Sequence, residues 1–144
     1  MIAVDTNILV YAHREDSEWH DRAATSIRKL AEGAAAWAIP WPCVHECLAI
    51  VTHPRIFRTP TPAAAALDQV DAWLESPSLV MLTENEEYWA ILRRLLLEAR
   101  IVGPRVHDAR VASLCLSHTV DELWTADRDF SIFPALRTRN PLVG

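Results

Sequence analysis

Glycine and lysine are scarce in this chain, which has 3 glycines among 144 residues and a single lysine, Lys29. Turns therefore depend on the 9 prolines rather than on glycine. The formal net charge of −5 argues against a nucleic-acid binder that works through a bulk positive field. It does not exclude an acidic metal site, because a bound metal ion reverses the charge locally.

Cysteine is sparse too, with 3 residues in apolar surroundings at Cys43, Cys47 and Cys115. The odd number predicts reduced core thiols in a cytoplasmic protein rather than a disulfide framework. A zinc site built from Cys43, His45 and Cys47 is disfavoured, because position 45 would face away from the two cysteines on a helix. We expect no signal peptide. No apolar run approaches the ~18 residues of a membrane span, so we expect no membrane association.

The length suits one domain over residues 1–144, and the composition, 51% hydrophobic and 23% charged, is typical of a soluble globule. Short apolar runs predict strands over 2–4, 35–39, 79–82 and 122–125, with 136–138 as a candidate edge strand. Between them, helical patterns begin near Ile8 and Pro42 and cover 18–31, 63–74, 86–99 and 107–117. On the helix over 86–99, Trp89 is expected to face inward. This alternation predicts an α/β fold with a mostly parallel central sheet.

Four carboxylates stand where an apolar segment meets its next turn: Asp5, Glu46, Asp108 and Asp127. Asp5 and Asp127 follow predicted strands directly, whereas Glu46 and Asp108 lie near the starts of helices. Sites in parallel α/β sheets form outside the carboxyl ends of the strands, so the topology can bring all four acids to one edge. Gathered carboxylates are costly unless a cation holds them together. An all-oxygen cluster points to Mg²⁺ or Mn²⁺ and to phosphoryl-transfer chemistry.

Each acid also has a purely structural interpretation, and Glu46 could be an ordinary exposed helix residue. Asp5 could be a helix N-cap, although an N-cap needs no buried strand immediately before it. Asp108 could stabilise the start of its own helix, which is compatible with metal ligation. Asp127 and Asp129 could form an Asx-turn, or could clamp a metal ion together.

Several neighbours of the acids are further candidates. Asn7 and Thr125 could orient a carboxylate or a water, or could make ordinary turn hydrogen bonds. His45 and His107 precede acids, but adjacent helical residues do not face each other, so we predict neither as a general base. Trp41, near Glu46, is the best candidate among the six tryptophans for a base-stacking platform. A stretch of five arginines favours a solvated helix face over a phosphate-contacting rim beside Asp108: Arg93, Arg94, Arg100, Arg105 and Arg110.

Taken in order, these motifs resemble those of the PIN domain family, most closely the VapC-like toxins of bacterial toxin–antitoxin pairs. The resemblance covers nearly the whole chain. The four matching segments are Ile2–Asn7 with Asp5, Val44–Leu48 with Glu46, His107–Ala112 with Asp108, and Thr125–Phe130 with Thr125, Asp127 and the added acid Asp129.

The resemblance implies a three-layer α/β/α sandwich that acts as an Mg²⁺- or Mn²⁺-dependent endoribonuclease through a metal-activated water. It further implies a homodimer and a cognate antitoxin, one of whose arginines would compete with the metal for the acidic site. The implied catalytic residues and metal ligands are Asp5, Glu46, Asp108 and Asp127, with Asn7, Thr125 and Asp129 supporting them.

Two other functions compete with this hypothesis. An aspartyl-phosphate phosphatase would use Asp5 as nucleophile, but such enzymes need a second acid two residues later, where this chain has Asn7. A catalytically silent PIN-like module that only binds RNA or protein would not need the complete set of acids.

Overall fold

A computed structural model describes residues 1–144. Five strands form one sheet in which every neighbouring pair is parallel, in the order β3-β2-β1-β4-β5. The strands are β1 (Ile2–Val4), β2 (Trp37–Pro40), β3 (Leu79–Leu82), β4 (Glu122–Trp124) and β5 (Thr138–Arg139). The helices are α1 (Thr6–His13), α2 (His20–Glu32), α3 (Trp41–Val51), α4 (Ala63–Leu74), α5 (Tyr88–Glu98) and α6 (Val106–Ser117). Two 3₁₀ turns cover Gly103–Arg105 and Arg128–Ile132.

The central strands are apolar along their whole length because both faces of the sheet are covered. Ala3 and Val4 of β1 are fully buried between β2 and β4, and β2 is buried at all of its positions. Pro40, expected to end the second strand, is instead its last residue and pairs with Leu82. A proline is tolerated there because the chain turns directly into α3, whose first turn needs no donor from it.

The helices form two layers, one on each face of the sheet. The chain moves from β1 to β2 to β3 in one direction, and then returns past β1 to β4. Because parallel crossovers are right-handed, this reversal places α1–α4 on one face and α5–α6 on the other. The packing agrees, since α1 contacts α2 and α3, α3 contacts α4, and α5 contacts α6. The predicted α/β fold with a parallel sheet is confirmed.

The reversal also creates a crevice at the carboxyl ends of β1 and β4. The chain leaves β1 towards β2 but leaves β4 towards β5, and such a switch point is where open α/β sheets bind ligands. Asp5 follows β1 and Thr125 follows β4 at this point.

Other local predictions were wrong as well. The first helix begins at Thr6 rather than near Ile8. Trp89 is 64% exposed, and Tyr88 is buried in its place with Leu92 and Leu95. The inward stripe of α5 therefore starts one residue earlier, since positions 88, 92 and 95 share one helical face.

A proline-rich connection between α3 and α4 is fastened to the end of α1. The Arg14 guanidinium donates to the Thr59 carbonyl over 2.8 Å and lies 3.9 Å from the centre of the Phe57 ring. His13 and Arg14 both hydrogen-bond the Thr61 hydroxyl. No helix in the chain has the length and apolarity that a bilayer crossing requires.

Candidate metal and active site

An open cleft of about 540 Å³ lies between the first turns of α3 and α6, over the carboxyl end of β1. Its lining residues are Asp5, Pro42, His45, Glu46, Pro104, His107, Asp108, Arg110 and Val111. Three of the four predicted acids therefore share one cleft, although they come from three separate elements of the chain.

Asp5 is buried at the base of this cleft, with 6% of its surface exposed. It occupies the N-cap position of α1, but its side chain makes no capping hydrogen bond. One carboxylate oxygen instead accepts from the Thr125 hydroxyl over 2.7 Å and from the Asn7 amide over 3.4 Å. The other faces the Cys43 thiol at 3.6 Å. Asp5 is therefore the N-cap residue of α1 by position, while its side chain is held by Thr125, Asn7 and Cys43.

The environment of Asp5 disfavours its charged form. Burial raises the pKa of the Asp5 carboxyl from 3.8 to about 6, and the nearby charge of Glu46 acts in the same direction. The hydrogen bond from Thr125 opposes this change, because it favours the carboxylate. Burial likewise raises the pKa of the Cys43 thiol, so this cysteine is an uncharged donor and not a thiolate ligand.

Glu46 projects from the second turn of α3 and is exposed to solvent in the cleft. Its carboxylate accepts a hydrogen bond of 3.1 Å from the Thr6 hydroxyl. Thr6 is the first residue of α1, so the residue after Asp5 orients a second acid. Sequence reasoning missed this partner, because no local signal connects positions 6 and 46.

Asp108 belongs to the cleft and also to a second group of acids, Asp108, Asp127 and Asp129, whose carboxylate oxygens lie within 4.8 Å of one another. Burial raises the pKa of Asp108, and the charges of Asp127 and Asp129 raise it further. No basic side chain forms a salt bridge with any of these three acids, nor with Asp5 or Glu46. The repulsion among the acids is thus not balanced by an ion pair within the chain.

Asn7 and Thr125 join the ends of β1 and β4. The Asn7 side chain accepts from the Ala126 N–H over 3.0 Å and donates to the Thr125 hydroxyl over 3.3 Å. The Thr125 oxygen also accepts from the Asp127 N–H over 3.0 Å. The same two side chains therefore make turn hydrogen bonds and orient the carboxylate of Asp5, so the two interpretations of these residues are compatible.

Asp127 and Asp129 form a local turn beside Asp108. The Asp129 N–H donates to an Asp127 carboxylate oxygen over 2.8 Å, which is the predicted Asx-turn. That turn directs both side chains towards Asp108. Neither lines the cleft that holds Asp5 and Glu46, so Asp108 is the acid common to both groups.

Two histidines and an arginine also line the cleft, although the sequence did not favour them as functional residues. His45 and His107 both line it, because an open cleft admits neighbouring residues of one helical turn. The five arginines divide: Arg110 lines the cleft and Arg105 lowers the pKa of Asp108, whereas the other three are exposed on or just after α5. Arg110 therefore lies beside the acids, while its side chain stays 42% exposed.

Comparisons with known proteins agree with this fold. Ribonuclease VapC43 of Mycobacterium tuberculosis is 34% identical over 144 residues, covering 100% of this chain and 97% of that protein. Ribonuclease VapC48 of the same species is 29% identical over 140 residues, covering 97% of each. VapBC2 from Rickettsia felis, solved with a DNA fragment from its promoter, superposes with a TM-score of 0.72 at 21% identity, covering 97% of this chain and 98% of that one.

A further solved structure is VapC20 of Mycobacterium tuberculosis, described as a Sarcin-Ricin loop cleaving toxin. It superposes with a TM-score of 0.66 at 16% identity, covering 91% of this chain and 93% of that one. These features define a class of α/β proteins that carry acids at the carboxyl edge of a parallel sheet. Residues 2–136 match the PIN domain, and the chain belongs to the PIN domain family.

Proposed function

We propose that this chain is a metal-dependent endoribonuclease and the toxin of a toxin–antitoxin pair. The observation that supports it most is the shared cleft of Asp5, Glu46 and Asp108, with Asp108 also adjoining Asp127 and Asp129. Relatives that match along their full length are ribonucleases by name, which favours RNA as the substrate.

The donor set fits a hard divalent cation. All five acids offer carboxylate oxygen, the ligand type that Mg²⁺ and Mn²⁺ prefer, and the cysteines nearby are buried and protonated. We assign Asp5, Glu46, Asp108 and Asp127 as the residues that would hold the ion, with Asp129 beside them. When bound, such an ion supplies Lewis acidity that activates water and neutralises charge at the scissile phosphate.

The remaining polar groups act by holding these carboxylates in place. Thr125 and Asn7 hold Asp5, and Thr6 holds Glu46, through hydrogen bonds within the chain. Such preorganisation reduces the rearrangement needed during the reaction. Arg110, on the wall of the cleft, is placed to contact a phosphate of the incoming strand.

The partners follow from the same site. An antitoxin segment that brings an arginine into the acidic cleft would block it, since a guanidinium pairs well with carboxylates. The solved neighbours include a VapBC assembly and FitAB assemblies, which supports a partner of this kind. We further propose a homodimer that acts in the cytoplasm, where its free cysteines remain reduced.

The direct test is RNA cleavage by the purified chain with Mg²⁺, with Mn²⁺ and with EDTA. We expect cleavage with either ion, none with EDTA, and none from an Asp5→Asn variant that still folds. Asp71→Asn is the matched control, because Asp71 is exposed on α4 and lies in neither group of acids. Equal cleavage by wild type and Asp5→Asn would remove Asp5 from the mechanism.

A second test separates the enzyme from a silent binding module. Expression of the chain alone should arrest growth, and Glu46→Ala or Asp108→Ala should relieve the arrest. RNA binding without turnover at millimolar Mg²⁺, together with arrest that survives both substitutions, would favour the module.

A further inference from the structure

A second cavity of about 280 Å³ adjoins the acidic cleft on the side of β3. Its lining residues are Trp41, Pro42, Leu82, Thr83, Glu84, Arg110 and Leu114. Pro42 and Arg110 line both spaces, so the two adjoin along the carboxyl edge of the sheet, and together we call them the groove. We call this second space the Trp41 pocket.

The Trp41 pocket offers an aromatic wall and an apolar floor. The half-buried Trp41 ring stacks on His45, with 6.0 Å between ring centres and 25° between ring planes. His45 lines the acidic cleft and Trp41 lines the pocket, so this stacked pair connects the two spaces. Leu82 and Leu114 are almost fully buried and form the floor. A flat apolar slot of this kind suits a nucleobase, because every base has a π-face that stacks on aromatic rings.

The charge of the lining residues changes along the groove. A phosphate that approaches the acids meets negative charge, and the cation on the wall shared with the Trp41 pocket is Arg110. Its contact with Glu84 is long, at 3.8 Å, and its side chain is 42% exposed. The guanidinium therefore has donors available for a phosphate or a base edge. Thr83 and Glu84 add polar groups that can hydrogen-bond a base edge.

We propose that the Trp41 pocket binds the base of the nucleotide next to the scissile phosphate, with Trp41 as its stacking platform. This inference rests on the proposed nuclease function and specifies its substrate as unpaired RNA. A base inside an A-form helix is already stacked on its neighbours, so only a single-stranded or looped segment can place one in the pocket.

The test uses Trp41→Ala, Trp41→Phe and the control Trp89→Ala on a short single-stranded RNA whose cut site has been mapped. Trp89 is 64% exposed and lines neither space of the groove. Loss of one stacking contact should lower kcat/KM by about 10- to 100-fold in Trp41→Ala, mainly through KM. Trp41→Phe should recover most of the loss, and Trp89→Ala should match wild type.

Substrates with an abasic nucleotide on either side of the cut identify the base concerned. With one of these substrates, the kcat/KM of wild type should fall as far as the kcat/KM of Trp41→Ala falls on intact RNA. Combining that abasic substrate with Trp41→Ala should lower kcat/KM no further than either change alone. The proposal would be overturned if each abasic substrate lowered kcat/KM by the same factor in wild type and in Trp41→Ala. It would also be overturned if Trp41→Ala had no effect on the cleavage of intact RNA. Matching unfolding temperatures, together with the Trp41→Phe variant, separate loss of stacking from loss of fold.

A binding measurement separates failure of this inference from failure of the proposed function. Tryptophan fluorescence is followed while a single-stranded RNA oligonucleotide is added to wild type and to Trp41→Phe in EDTA. Quenching that is present in wild type and absent in Trp41→Phe supports the pocket even if the chain cuts no RNA. Identical titrations would overturn the pocket even if wild type is an active nuclease.

Discussion

The hydroxyl of Thr125 donates a 2.7 Å hydrogen bond to the carboxylate of Asp5, joining residues 120 positions apart in the chain. The bond spans the carboxyl ends of β1 and β4, which are neighbours in the sheet. It favours the charged form of a buried acid whose pKa is raised by burial. If Asp5 holds a cation as proposed, Thr125 orients its carboxylate and favours the charged form that would bind the ion.

Replacing Thr125 with valine tests this relationship, because valine keeps the branched shape but has no donor. Loss of a supporting hydrogen bond to a metal ligand typically costs about 10- to 100-fold in metal affinity or activity, and we expect a decrease of that size in Mn²⁺ affinity. Thr125→Ser should retain most of the affinity. Calorimetric titration with Mn²⁺ measures both, and an unchanged affinity in Thr125→Val would contradict the assigned role.

The burial of Asp5 predicts a pH-dependent stability in EDTA. Because the pKa rises from 3.8 to about 6, the favourable contribution of the protonated carboxyl is fully present below pH 3.8 and is lost as pH rises through 6. One pKa unit corresponds to about 1.4 kcal/mol. The free energy of unfolding of Asp5→Asn, relative to that of wild type, should therefore be about 2–3 kcal/mol higher at pH 7 than at pH 4. Urea unfolding at both pH values measures the gain. If the difference in unfolding free energy between wild type and Asp5→Asn were the same at both pH values, the charge on Asp5 would not destabilise the fold.

Asp108 should matter more for metal binding than any other single acid, since it belongs to both the cleft and the group with Asp127 and Asp129. A ligand at one hundred times its Kd stabilises the native state by about 2.7 kcal/mol. We expect Mn²⁺ to raise the unfolding temperature of wild type, to do so less in Glu46→Gln, and least in Asp108→Asn. The reverse order of Glu46→Gln and Asp108→Asn would contradict the shared role of Asp108.

Arg110 should contribute a phosphate contact, because it is the arginine on the wall of the groove. For single-stranded nucleic acid, each contact contributes about 0.7 to the slope of log K against log salt. Arg110→Gln should reduce the slope for a single-stranded RNA by about this amount. Arg93→Gln, on the exposed face of α5, is the control and should leave the slope unchanged. Equal slopes for Arg110→Gln and wild type would place the strand elsewhere.

Much of the fold could be predicted because the local signals are strong. Apolar runs such as those of β1 and β3 alternate with helical patterns, and this alternation is sufficient for a parallel α/β sheet. The error at Trp89 arose because α5 has apolar residues on more than half of its circumference. Periodicity could not tell which of Tyr88 and Trp89 faces the core, and tertiary packing decided it.

The candidate site was predictable only in part. The positions of Asp5 and Asp127 at strand ends follow from the sheet topology, since such ends share one edge. The Thr6–Glu46 hydrogen bond and the cleft-lining position of Arg110 depend on how α1, α3 and α6 pack. Such contacts between distant elements leave no periodic trace in the sequence.

The central claim is that separate acids converge to hold one divalent ion for RNA hydrolysis. A crystal structure of the chain soaked in Mn²⁺, with the ion located by its anomalous scattering, tests this most directly. The account predicts an anomalous peak beside Asp108, coordinated by Asp108 together with at least one of Asp5, Glu46 and Asp127. Saturating Mn²⁺ with no peak beside Asp108, or with peaks only at acids other than these four, would contradict the account.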